Sequence, residues 1–376
     1  MTSDSGDLSN VKTRFFDPLQ DGLPREAWQA LSDEAADPNP FFGPAFLMPY
    51  LRHMGARHVK VLAVTDGLTG QWLMAAPVRP RPAGLLLPVP TTFTTDYGPV
   101  GTPLLSPDAG MIHARLFFGA AAGKAGVLAL PHLPLGSRAA RLLMDLEEAD
   151  VTVAERSHRA SHDSGPEGQA QFDAAFKGKR RKEMKRLLRR LEDEGDVSLA
   201  TVEDSALKHR FEAFLALEAS GWKGRENTAL ASTSQTAAFS RETVGAMAGA
   251  GRVRIDELRV GETLIASLVS FVDGGHVFAW KIAFDEAYAR YSPGAQLVLY
   301  TFQQNLAMPG FRLADSLAIP GHSMIEPLWR GRLEIGTVLV SSGPLAAFKN
   351  RLCSADFALE QRLRRLARDF RKKVKS

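Results

Sequence analysis

Residues 253–284 read VRIDELRVGETLIASLVSFVDGGHVFAWKIAF, and residues 285–300 continue DEAYARYSPGAQLVLY. Three runs rich in Val, Ile, Phe and Leu are parted by two turn signals, Val260-Gly261-Glu262 and Asp273-Gly274-Gly275. Glycine takes the positive φ that a tight connection between right-twisted strands requires. The pattern predicts strands at 253–259, 263–272 and 276–284, joined as hairpins. Ser292 then offers an N-cap and Pro293 suits a first helical position. A helix follows over 293–308, stopped by Pro309-Gly310, and a strand over 312–317.

Further on, a short helix near 324–329, a strand at 337–340 and a long C-terminal helix are expected. Working back, helices are read at 205–220 and 171–194, the latter ended by Gly195. The polar stretch around Gly165-Pro166 reads as a linker, 157–170. In the first half a partly helical apolar segment, 41–50, precedes strands at 59–65 and 72–78. Pro- and Thr-rich loops, a helix (109–122), a strand (127–130), a helix (137–148) and a strand (151–155) come after it. Hairpin, loop, helix, strand, helix and strand thus recur in both halves, which predicts a structural duplication without sequence identity. The expected class is α+β with mixed β-sheets flanked by helices. The expected lobes are 1–156 and 171–376, with 157–170 between them.

The chain of 376 residues is long enough for two ordinary cores. Its first residues, 1–12, are polar and carry Asp4 and Asp7, so they do not read as a secretory signal. No apolar run approaches a membrane span. The single cysteine, Cys353, excludes an internal disulfide and a Cys-based zinc site, and points to a reducing, cytoplasmic setting.

The net charge is only +4, but it is unevenly placed. Lys177, Lys179, Arg180, Arg181, Lys182, Lys185, Arg186, Arg189 and Arg190 crowd one segment, opposed there by Glu183 alone. A second basic cluster runs over 362–375. Such helices suit an anionic partner: a cofactor phosphate, a tRNA, or an anionic membrane surface at which the protein would be peripheral. A solvated face balanced by Glu192, Asp193 and Glu194 fits the same residues. Met184, Leu187, Leu188 and Leu191 give this helix one apolar stripe.

Ser292-Pro293-Gly294, with Arg290 just upstream, resembles a helix start built for phosphate: free N–H groups, a glycine that admits close approach, and a cation. An ordinary capped helix after a sheet fits equally well. Other motifs fail. Gly119 to Lys124 is one residue short of a phosphate-binding loop and lacks the following hydroxyl. His158 and His162 are spaced i, i+4 but have no Cys or Glu beside them in the expected linker, so no metal is expected. There is no Gly-x-Ser-x-Gly elbow.

Several segments together resemble the CelD/BioF2-like branch of the GNAT acetyltransferase superfamily, relatives of the FemAB aminoacyltransferases. They are Gly221-Trp222-Lys223-Gly224, the block Trp280 to Gly294, Asp315-Ser316, and His322-Ser323-Met324-Ile325 with Trp329. Asn39-Pro40-Phe41-Phe42 and Gly101-Thr102-Pro103-Leu104-Leu105 add to the likeness, which covers nearly the whole chain. It implies two tandem GNAT-like lobes, with a cofactor site in the C-terminal one. It assigns pyrophosphate binding to Arg290, Tyr291, Ser292, Gly294 and Ala295, although the first glycine of the family pattern is displaced by one position. It implies acetyl-CoA or another acyl-CoA as donor, no metal, and a small-molecule or glycan amine as acceptor, in polysaccharide or envelope biosynthesis.

Such chemistry needs a base for the amine and donors for an oxyanion. Asp315 and His322, seven residues apart across Pro320-Gly321, are the expected base and its partner, with Lys281 a third catalytic candidate. Glu218, Trp222, Lys223 and Asp285 are expected at the acceptor. Each has a plainer alternative: Glu218 as a solvated helix residue, Asp285 as a turn cap, Lys281 and Arg290 paired with Asp285 and Glu286. A tRNA-dependent transferase and a non-catalytic binding protein of the same fold are the competing readings.

Overall fold

A computed structural model describes residues 10–80, 89–203 and 205–375. The expected polar leader therefore lies mostly outside the described residues. In chain order the elements are β1 (Val11–Phe16), α1 (Arg25–Glu34), α2 (Pro44–Met54), β2 (Lys60–Asp66), β3 (Trp72–Pro80), β4 (Pro90–Thr92), β5 (Leu104–Leu105), α3 (Met111–Ala122), β6 (Val127–Pro134), α4 (Arg138–Met144) and β7 (Ala149–Asp163). There follow α5 (Gly165–Ala175), α6 (Gly178–Glu192), β8 (Val197–Val202), α7 (Leu207–Ser220), α8 (Trp222–Arg225), α9 (Ser234–Gly249), β9 (Val253–Val260), β10 (Thr263–Asp273) and β11 (His276–Phe284). The chain closes with α10 (Pro293–Ala307), β12 (Leu313–Asp315), β13 (Gly331–Ser342) and α11 (Ala346–Lys375). The class is α+β, as the sequence predicts: mixed sheets with helices packed on them.

The chain forms two compact units, and neither is one continuous stretch. The first holds Met1–Pro44, Arg57–Ser157 and Glu334–Ser376. Its strands run in the order β1-β2-β3-β4-β6-β13, with β5 also on β3; the β4–β6 pair is parallel and the others antiparallel. Helix α3 packs across β2, β3 and β6. Two of the segments singled out in the sequence meet here. Asn39 Nδ2 donates to the carbonyls of Val100 (3.1 Å) and Thr102 (2.7 Å), while its Oδ1 accepts from Phe41 N–H. Gly101 lies so close to Pro131 that a Cβ would fall 1.9 Å from its carbonyl oxygen. Both motifs serve packing.

The second unit holds Ala45–Ala56 and His158–Leu333. Its strands run β7-β12-β11-β10-β9-β8, parallel between β12 and β11 and antiparallel elsewhere. Strands β9 and β10 are buried almost continuously instead of alternately, as expected of a sheet with helices on both faces. Helices α7 and α10 both pack across β9, β10 and β11. The segment α2 belongs to this unit: Phe46 stands edge-on to Phe239 and Phe271, and Glu242 takes Arg52 and His53.

Three local expectations change. Residues 157–170 are not a linker: β7 runs on to Asp163 and α5 starts at Gly165. The single helix expected over 171–194 is two, α5 and α6, broken where Gly178 adopts φ +55°. Residues 324–329 form turns instead of a helix. On the extended strand β7, His158 and His162 are about 13 Å apart. His158 meets Glu326, while His162 is fully buried, stacked on Phe302 at 3.7 Å and bonded to Asn305 Nδ2 at 2.9 Å. Burial pushes its pKa down to about 3, so its ring is neutral. No helix among the described residues is long and apolar enough to cross a membrane.

Candidate active site

Pairing between β11 and β12 covers only three residues on each strand, from His276↔Leu313 to Phe278↔Asp315. Immediately beyond, β11 carries an extra residue. Val269 faces Lys281 and Ser270 faces Ala279, which leaves Trp280 as a bulge packed against Phe271 at 4.8 Å. From there β11 continues without β12 and forms one wall of a cavity of about 700 Å³, through Ile282, Ala283 and Phe284. The other walls are Leu217 and Glu218 of α7, Gly221, Trp222 and Lys223 after it, Arg180 and Met184 of α6, the start of α10 (Ser292 to Ala295), and the turn from His322 to Leu328. The walls are mainly apolar with a few convergent polar groups, the common character of a small-molecule site.

Glu218 is the most deeply buried charge on these walls, 3 % exposed. Its Oε1 accepts from Lys223 Nζ at 2.9 Å and its Oε2 from Leu230 N–H at 2.8 Å. Lys223 Nζ also donates to the Ile282 carbonyl, 2.9 Å away on the open part of β11. Gly224 makes this possible. It lies against the end of α7, where a Cβ would sit 1.8 Å from the Ala219 carbonyl, so the chain folds back tightly enough for Lys223 to reach Glu218. Trp222 is 48 % exposed, and its backbone N–H donates to Glu286 Oε1 at 2.9 Å.

Helix α10 begins as the sequence suggests, at Ser292-Pro293-Gly294, with Ser292 in the left-handed region (φ +53°). The Ser292 side chain makes no cap hydrogen bond. At Gly294 a Cβ would meet Met324 Sδ at 2.8 Å, so any larger residue requires that side chain to shift. Gln296 Nε2 donates to the Met184 carbonyl at 2.8 Å, and Arg180 to the Pro327 carbonyl at 2.9 Å, so α6 is tied to two other walls.

Seven of the expected site residues line this cavity: Glu218, Trp222, Lys223, Ser292, Gly294, Ala295 and His322. The others stand elsewhere. Arg290 is exposed, pairs with Glu194 at 2.8 Å and lies over the Tyr291 ring at 4.8 Å. Tyr291 is buried with its hydroxyl on Glu194. Asp285 caps a turn by accepting Ala287 N–H, and Lys281 lies 6.0 Å from the Trp280 ring centroid. Glu286 takes Arg225 at 2.7 Å.

The expected Asp315–His322 pair does not form. Asp315 is 3 % exposed in β12, ion-paired with Arg159 at 2.8 Å and accepting Leu317 N–H at 2.9 Å. Burial pushes the Asp315 carboxyl upward against the pull of Arg159, and lowers the Arg159 guanidinium. A group held so deep is a structural partner. His322 remains on the cavity wall, with Nδ1 3.4 Å from Met324 N–H.

Arg180 and Met184 were not expected here. Both lie in the basic helix, whose composition drew attention to solvent and to polyanions; the signal available was the apolar stripe containing Met184, which had to face something.

Residues 178–320 match the family model of the acetyltransferase (GNAT) domain. The chain is similar in fold to the C-terminal DUF2156 domain of a protein named for lysylphosphatidylglycerol synthetase from Agrobacterium fabrum, at 13% identity and TM-score 0.53, covering 87% of this chain and 94% of that one. FemX gives 8% identity and TM-score 0.53, with coverage of 88% and 96%. A tandem GNAT protein from the clavulanic acid biosynthesis pathway gives 13% identity and TM-score 0.38, with coverage of 89% and 99%. No curated protein matches. The residues that are similar to a GNAT acetyltransferase domain, 178–320, include α6, Glu218, Lys223 and the α10 start.

Proposed function

We propose that the second unit transfers an acyl group, acetyl in the simplest case, from acyl-CoA to an amine. The observation that carries this is the cavity itself, which joins an open strand edge, an uncapped helix start and a buried carboxylate–ammonium pair. The residues present fit such a donor. The N–H groups of Gly294 and Ala295 at the head of α10 have no intrahelical partner and suit phosphate oxygens, with Arg180 as the cation beside them. The backbone of β11 beyond Phe278 suits the amides of an extended chain, while Leu217 and Met184 supply apolar wall. When bound, the donor would supply the activated carbonyl.

Lys223 is the group we assign to the reaction. Two of its N–H donors are spent on Glu218 and Ile282, which fixes the ammonium at the wall and leaves the third for an oxygen that gains negative charge. Glu218 positions Lys223. His322 lines the same cavity. The amine acceptor enters beside Trp222. A place in the CelD-like branch, and polysaccharide or envelope precursors as acceptors, follow from the sequence resemblance and belong to the same proposal.

Two variants test the donor site by calorimetric titration with acetyl-CoA. Arg180→Gln is expected to weaken binding about tenfold or more, the scale of one charge-assisted hydrogen bond, whereas Arg290→Gln leaves it within twofold. Equal effects would move the phosphate site. Gly294→Val is also expected to weaken binding, because the added branch crowds both Met324 and the approach to the helix start. Met324→Ala added to Gly294→Val should restore packing, read as Tm, but not affinity. Wild-type affinity in folded Gly294→Val would remove the α10 start from the site.

A further inference from the structure

We infer that the cavity mouth in the second unit docks on an anionic lipid surface. The first argument is the cost of α6. Helix starts favour acidic residues, because the macrodipole places partial positive charge there. The first turn of α6 has none; it holds Lys179, Arg180, Arg181 and Lys182, and its N-cap Lys177 makes no side-chain capping bond. This charge opposes helix stability, so it points to a role outside the helix. Intramolecular pairing does not account for it: Glu183 pairs with Arg186 and feels the charge of Arg190, while among the described residues Lys179, Arg181, Lys182, Lys185 and Arg189 are exposed without an ion pair.

The second argument is what shares the rim with this charge. Trp222 lines the cavity with Arg180 and is 48 % exposed. The loop that leads into the His322 wall carries Ile319, 67 % exposed. Single exposed apolar residues are common on any surface. Here an amphipathic Trp and a cation, Arg180, line the same opening, and the aliphatic Ile319 stands three residues before its His322 wall, the composition of a surface that settles into a headgroup layer. A phosphate-backbone track along RNA needs the cations but not Ile319. The inference does not depend on the acyl-transfer reading, since docking is measured without donor.

Sedimentation with vesicles of phosphatidylcholine alone, or with phosphatidylglycerol added, tests it. Wild-type protein is expected to bind the anionic vesicles, to lose them at high salt, and to ignore the neutral ones. The triple variant Arg181→Gln, Lys185→Gln, Arg189→Gln should bind roughly a hundredfold more weakly, at about tenfold or less per cation removed. The double variant Trp222→Ala, Ile319→Ser should also bind more weakly with all cations intact. Circular dichroism confirms the fold, and all five positions are exposed enough to tolerate these changes. No preference for anionic vesicles, or triple-variant binding like wild type, would overturn the inference. So would binding that ignores the Trp222/Ile319 pair, or binding to structured RNA with vesicles ignored.

Discussion

Lys223→Met gives a folded protein that holds acetyl-CoA but turns over about a hundred- to a thousandfold more slowly, the effect of removing one preorganised donor to a developing oxyanion. The expectation follows from how Lys223 is held. Its ammonium has two fixed acceptors, Glu218 Oε1 and the Ile282 carbonyl, both at 2.9 Å, so it needs no reorganisation when charge appears beside it. The loss should fall on kcat and leave the donor dissociation constant nearly unchanged, because the interaction grows only as the reaction proceeds. Glu218→Gln tests positioning separately. A glutamine keeps one acceptor oxygen for two donors, Lys223 Nζ and Leu230 N–H, and turns its NH2 toward the other, so kcat should fall less than in Lys223→Met with some loss of stability. Wild-type kcat in Lys223→Met would assign the lysine to packing alone.

Asp315→Ala is expected to destabilise the protein by about 3–5 kcal/mol, the cost of leaving one member of a buried ion pair without the other. Arg159 is 2 % exposed and Asp315 3 %, so neither charge can turn to water. Arg159→Met should cost a similar amount, and the double variant Arg159→Met, Asp315→Ala should cost much less than the sum. Denaturant unfolding of the four proteins completes the cycle. A catalytic Asp315 would give the opposite pattern: full stability with lost turnover.

That pair also shows where reading the sequence stops. The hairpins of β9, β10 and β11 are legible because their turns carry Gly261 and Gly274-Gly275 at positive φ. The α10 start is legible because Ser-Pro-Gly is a local signal. Residues 157–163 are not, because Ser, His, Arg and Asp look solvent-facing by composition. Yet Arg159, Ser161 and His162 are buried, satisfied by Asp315, by β12 pairing and by Asn305, partners far away in sequence. In the same way Arg290, adjacent in sequence to the helix start, does not line the cavity, while Arg180 from another helix does. Glu218 and Lys223 could be named from their motif. Their joining through the Gly224 turn could not, since it depends on how closely that turn approaches Ala219. Local conformation is written locally; which polar groups share a buried site is decided by the sheet order.

The central claim is that this cavity in the second unit binds an acyl-CoA and activates its carbonyl. It is tested most directly by following thiol release from acetyl-CoA, with a panel of primary amines, in wild type and Lys223→Met, alongside titration of both with acetyl-CoA. The account predicts that both proteins bind acetyl-CoA with similar affinity and that amine-dependent thiol release occurs in wild type and is nearly abolished in Lys223→Met. Absence of acetyl-CoA binding by folded wild-type protein would contradict it.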